Sequence, residues 1–120
     1  MLEASAAGLI GFGSPDNSLE RFMYRKVFTS KVFDRKVVVI TGGCAGIGRA
    51  LAERMAQAGA RVVIFDLEQN AIDGLVQHLA DHHNADALGL CCDVSDAVAV
   101  QRAVALVVER FGGIDVLINN

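Results

Sequence analysis

The stretch that most restricts the fold is KVVVITGGCAGIGRALAERM, residues 36–55. It opens on a continuous β-branched run, the pattern of a strand buried on both faces. A glycine-rich turn follows. Then Ile47, Leu51, Met55 and Ala58 recur at helical spacing, with Arg49, Glu53 and Gln57 on the opposite face. Gly59 is placed to end that helix. A strand buried on both faces needs helices above and below it, so this segment alone points to an α/β architecture.

The alternation continues to the end of the sequence. RVVIF is a second strand, and Ile72, Leu75, Val76 and Leu79 form the stripe of a second helix. ALGLCC is a third, weaker strand. Ser95 is placed to cap a third helix, whose buried face is predicted to carry Val100, Val104, Val107, Val108 and Phe111. Ser95, Arg102 and Glu109 mark its wet stripe. IDVLIN is the fourth strand. Short connections between these elements predict a parallel sheet with right-handed crossovers. The expected fold is a Rossmann-like doubly wound α/β sheet, β-α-β-α-β-α-β with strand order 3-2-1-4.

At 120 residues there is room for one core. Residues 34–120 are predicted to form half of a nucleotide-binding domain. Residues 1–33 read as a leader, irregular or partly helical. Its stretch RFMYRKVFTSKVF interleaves Arg21, Arg25, Lys26 and Lys31 with Phe22, Tyr24, Phe28 and Phe33. A net charge of −3 argues against an RNA- or lipid-binding surface there, so packing of these aromatics on the domain edge is expected. Met23 is a candidate alternative start. The apolar AAGLIGFG is far shorter than a membrane span and follows Glu3 rather than a basic region, so no targeting segment is expected. Three cysteines, two of them adjacent, do not make a secreted disulfide framework; reduced thiols in the cytoplasm are expected.

The glycine turn carries the chemistry. Gly42 permits a tight turn off the strand. Gly46 would let a pyrophosphate approach the backbone, and Gly48 would let the helix lie close on the first strand. The start of a helix offers unpaired N–H groups and the positive end of its dipole. A plain glycine-rich βα turn is the alternative. Asp66, eighteen residues beyond Gly48, closes the second strand. A carboxylate there accepts both ribose hydroxyls of an adenosine and repels a 2′-phosphate. Neither Leu67 nor Cys44 nor Ala45 supplies a compensating cation, so NAD is expected over NADP.

With three residues between its first two glycine positions, TGGCAGIG resembles the T-G-x-x-x-G-x-G loop of the short-chain dehydrogenase/reductase family. CCDVSD resembles the segment after the family's third strand, and DVLINN the opening of its Asn-Asn-Ala-Gly segment. The resemblance spans residues 34–120. It implies a cofactor site of Thr41, Gly42, Gly46, Ile47, Gly48, Asp66, Asp93, Val94 and Asn120. In it Asp93 would bind the adenine amino group, Val94 would lie beside the ring, and Asn120 would hold the central sheet against the cofactor ribose. The family's activity is hydride transfer between a nicotinamide and an alcohol or ketone. Its catalytic Ser, Tyr and Lys belong after the Asn-Asn segment, so no catalytic residue is assigned here. The single tyrosine, Tyr24, has no lysine four residues on. The chain is therefore expected to be the N-terminal, cofactor-binding part of an NAD-dependent dehydrogenase, homo-oligomeric when complete, with no nucleic-acid or membrane partner. Its fourth strand would carry an unpaired edge. The alternative is a non-catalytic dinucleotide-binding or interaction module.

Two further clusters stand outside this site. Cys44, Cys91 and Cys92 lack C-x-x-C spacing, two of them sit in an apolar strand, and they read as buried, inert thiols. His78, His82 and His83 with Asp81 suggest zinc, but their place at the end of a helix favours a solvated terminus, and no metal site is assigned. Arg49 is expected to pair with Glu53.

Overall fold

The structure, a computed structural model, describes residues 2–5 and 31–120. The basic-aromatic stretch before Lys31 and the candidate start at Met23 lie outside the described residues. In chain order the elements are β1 (Leu2–Ser5), one turn of 3-10 helix (Lys31–Phe33), β2 (Val37–Thr41) and α1 (Gly46–Gln57). Then come β3 (Arg61–Asp66), α2 (Gln69–His83), β4 (Ala87–Cys91), α3 (Ala97–Phe111) and β5 (Val116–Asn119). Every strand pair is parallel, in the order β1-β5-β2-β3-β4. The four expected strands thus lie 3-2-1-4, the order expected of a doubly wound nucleotide-binding sheet.

The fifth strand is a correction. Leu2–Ser5 runs along β5, with Leu2 opposite Val116 and Ser5 opposite Asn119. The edge of β5 is therefore paired, because a parallel strand exposes a row of N–H and C=O groups that a second strand satisfies. Four residues, LEAS, are too few to show a period, so this part of the leader was legible only as irregular.

Period-2 alternation splits the core across the sheet. Val38, Ile40, Val62, Ile64, Val116 and Ile118 face α1 and α2, meeting Leu51, Met55, Leu75 and Leu79. Val37, Val39, Val63 and Phe65 face α3, meeting Ala103 and Val107. Phe33 packs into the first of these cores, as expected of a leader aromatic. On α3 the buried residues are Ala103 and Val107, while Val108 is 46% exposed. Val100 and Phe111 pack against the same core, as expected, whereas Val108 turns outward and Ala103 takes a buried place on that face. Ser95 is not the cap of α3. Its N–H and hydroxyl both donate to Asp93 Oδ1, and Asp96, one residue later, caps instead by accepting from Val98 and Ala99 N–H.

Glu53 does not pair with Arg49. Its Oε1 lies 2.6 Å from His78 Nε2, joining α1 to α2. That hydrogen bond outweighs the cost of partial burial and holds the Glu53 carboxyl below the usual range. Among the described residues no helix is long and apolar enough to cross a membrane.

Candidate functional site

Because the strands are parallel, the C-terminal ends of β2, β3, β4 and β5 open on one edge of the sheet. The chain leaves β2 toward β3 on one side and later returns to β5 on the other. Such a reversal of strand order forms a crevice outside the strand ends. All nine sequence-predicted residues lie at this edge, at or just beyond the strand ends or in the first turn of α1, which starts there.

β2 ends at Thr41, whose hydroxyl is buried and already engaged. It accepts from Asn120 N–H at 3.1 Å, with Ile118 O at 3.5 Å and Asn119 Oδ1 at 3.4 Å as acceptors for its own hydrogen. Asn120 Nδ2 donates to Gly42 O at 3.0 Å. The end of β5 thus clamps the start of the glycine turn. Gly48 sits beneath this clamp: a Cβ there would strike Gly42 O and Asn120 Nδ2. Its reason for being glycine is the turn and Asn120 rather than close packing on β2. Gly46 differs. Its φ is +56, and no protein atom lies within 4 Å of where a Cβ would stand, so it fronts open space.

α1 begins at Gly46 with no capping side chain. Ala45 holds the extended N-cap conformation but has no side-chain acceptor, and the first turn carries no acid. The first backbone bond is Arg49 N–H to Ala45 O at 3.3 Å. The amides of Gly46, Ile47 and Gly48 therefore precede the helix's own ladder. The Ile47 side chain packs against the core, so this residue offers its backbone.

Asp66 lies across from this turn. Its Oδ2 accepts Cys44 N–H at 3.0 Å and its Oδ1 accepts Leu67 N–H at 2.8 Å. Burial pushes this carboxyl up, but the bonds from Leu67 and Cys44 more than offset it, and the group sits below the usual carboxylate range. Each oxygen keeps a further lone pair for a ligand hydroxyl. The Cys44 thiol is pushed up to about 11, first by burial and then by the Asp66 charge, so it stays protonated.

At the end of β4, Asp93 is exposed and held below its usual range by the Ser95 hydroxyl and N–H. Val94 is 55% exposed, and so is Leu67 at 65% at the end of the neighbouring β3. Two bare aliphatic side chains at adjacent strand ends suit the faces of a flat ring. Leu67 is not among the sequence-predicted site residues, and its exposure beside Asp66 makes it a candidate ring contact. An apolar residue directly after the closing acid was its signal. Cys44 was missed too, since its bond to Asp66 depends on how β2 and β3 are paired.

The residues present fit a dinucleotide: uncapped amides for a diphosphate, a carboxylate for a ribose, and an apolar rim for a base. The family model for short chain dehydrogenases matches residues 36–120. The 1-deoxy-11-beta-hydroxypentalenate dehydrogenase of Streptomyces avermitilis is 45% identical over 82 residues, covering 68% of this chain and 30% of that protein. Meso-2,3-butanediol dehydrogenase of Serratia marcescens is 44% identical over 88 residues, covering 73% and 34%. Among solved structures, a short chain dehydrogenase/reductase from Burkholderia phymatum in complex with NAD aligns with TM-score 0.68 and 38% identity, over 71% of this chain and 30% of that one. L-sorbose reductase from Gluconobacter frateurii, complexed with NADPH and L-sorbose, aligns with TM-score 0.71 and 34% identity, over 73% and 34%. The chain spans about a third of the length of the relatives it matches. On its sequence, its strand order and its glycine loop, it belongs to the short-chain dehydrogenase/reductase family of oxidoreductases.

Proposed function

We propose that this chain binds NAD in the crevice at the strand ends, as the cofactor-binding part of a dehydrogenase acting on an alcohol or ketone. The observation that carries the proposal is the uncapped start of α1 facing Asp66. The amides of Gly46, Ile47 and Gly48 hold the diphosphate, aided by the helix dipole. Asp66 accepts the two adenosine ribose hydroxyls, and Asp93 accepts the adenine amino group, with Val94 and Leu67 flanking the ring. Thr41, Gly42 and Asn120 act by positioning, keeping the turn open and fixing it to β5, where Asn120 borders the second ribose. When bound, the nicotinamide exchanges hydride with the substrate carbon.

The preference for NAD over NADP rests on Asp66. A 2′-phosphate would bring like charge against a carboxylate that stays ionised, and Leu67, Cys44 and Ala45 offer no cation. Proton transfer is assigned to residues outside these 120, since Tyr24 is the single tyrosine and no Tyr-x-x-x-Lys occurs. The complete protein is proposed to be a homo-oligomer. The reducing cytoplasm is proposed as its location, where its three unpaired thiols are chemically at home. Calorimetric titration tests the site. NAD is expected to bind saturably, with affinity lowered roughly 10- to 100-fold by Asp66→Ala, the loss of charged hydrogen bonds. Equal affinity of both proteins for NAD would overturn the assignment.

A further inference from the structure

The histidines at the end of α2 are not simply a solvated terminus. Packing of α1 on α2 places Glu53 against them, and the ring nitrogens of His78 and His83 both turn to one carboxylate oxygen. His78 Nε2 lies 2.6 Å from Glu53 Oε1 and His83 Nε2 lies 3.9 Å from it. Among the described residues, one ligand atom from each of Glu53, His78 and His83 falls within 4.8 Å of the other two. Asp81 and His82 are not part of the cluster. Asp81 accepts from Gln77, and His82 points Nδ1 at His78 O while its ring stacks on His78 at 4.2 Å.

The structure assigns a divalent transition-metal site, of the zinc class, to Glu53, His78 and His83. Two imidazoles and a carboxylate are a donor set that zinc favours and that magnesium and calcium do not. Tetrahedral zinc with bonds of 2.0–2.1 Å holds its ligand atoms about 3.4 Å apart. That spacing falls between the two observed distances, and the remaining pair, His78 with His83, lies within 4.8 Å, so turning the three side chains brings their ligand atoms to one ion. All three residues are half-buried, so an ion can reach them from solvent. The last turn of α2 adds the negative end of a helix dipole. Glu53 lies two turns along α1 from Gly46, about 10 Å, so the site is separate from the crevice and independent of the cofactor proposal. A bound ion joins α1 to α2 over one face of the sheet.

The test titrates tag-free 120-residue protein, near neutral pH, with Co2+ followed by Zn2+ competition. One Co2+ per chain is expected, with a visible d–d spectrum and without the near-ultraviolet thiolate band that the cysteines would give. Zn2+ is expected to displace it and to raise the melting temperature, while millimolar Mg2+ does neither. Glu53→Gln, His78→Gln and His83→Gln are each expected to lose affinity at least ~10-fold, since even outer-shell changes cost that much. His82→Gln is expected to bind within about twofold of the parent. No saturable site, a thiolate spectrum, or affinity indifferent to His83→Gln would each overturn the assignment.

Discussion

The start of α1 and the starts of α2 and α3 solve the same problem in opposite ways. Every helix begins with amides that its own ladder cannot satisfy. At α2, Glu68 accepts from Asn70 and Ala71 N–H; at α3, Asp96 accepts from Val98 and Ala99 N–H. Both are acids, placed where the dipole favours negative charge. At α1 the cap position holds Ala45, and glycine lies on either side of the turn. Two starts are closed by the chain itself. The third is left open toward the crevice, where Asp66 and an exposed apolar rim stand opposite. An acceptor missing at one helix and present at the other two sets the start of α1 apart more sharply than its glycine spacing does.

The largest effect is expected where the open start is filled with protein. In Gly48→Val the new side chain meets Gly42 O and Asn120 Nδ2. Overpacking of this kind costs about 1–3 kcal/mol, and the displaced turn is expected to lose NAD binding altogether. Chemical denaturation and calorimetry on the same sample would read both.

Converting the open start into a closed one is the next test. Ala45 already has the backbone of an N-cap, φ −145 and ψ 158. Ala45→Asp is expected to stabilise the fold by about 1 kcal/mol while weakening NAD at least tenfold, since its carboxylate takes the amides and repels phosphate. A gain in stability with unchanged affinity would break the contrast. The reverse experiment opens the closed starts. Glu68→Ala and Asp96→Ala are each expected to cost about 1 kcal/mol of stability and to leave NAD affinity unaltered.

The smallest effect concerns pH. The folded pKa of Asp66 is depressed, so its contribution is complete above the ordinary carboxylate value and is lost as pH falls through the lower folded one. NAD affinity is expected to stay flat on acidification until below an ordinary Asp pKa of about 3.9. A fall in affinity between neutral pH and that value would show that Asp66 is not held as described.

What could be read from the sequence was local. The β-branched run, the glycine turn and the stripe Ile72, Leu75, Leu79 each declare themselves within one element; their alternation gives a parallel sheet, and the strand order comes from the doubly wound nucleotide-binding fold that the glycine turn implies. What could not be read depends on elements meeting. Glu53 counts as outward-facing on its own helix, and only the packing of α1 on α2 brings His78 and His83 to it. The bond from the Cys44 amide to Asp66 needs β2 and β3 in register. Ser95 and Asp96 are both good caps by type, and the choice went to Asp96 because Asp93 had already engaged Ser95. The pairing of Leu2–Ser5 with β5 spans nearly the whole chain, and four residues carry no signal of it.

Amide chemical shifts during an NAD titration of the isotope-labelled chain test the contrast between helix starts most directly. The amides of Gly46, Ile47 and Gly48 are expected to shift first and furthest, while Asn70, Ala71, Val98 and Ala99 stay still. Comparable shifts at all three helix starts, or none at Gly46 to Gly48 under saturating NAD, would contradict the placement of the diphosphate at α1.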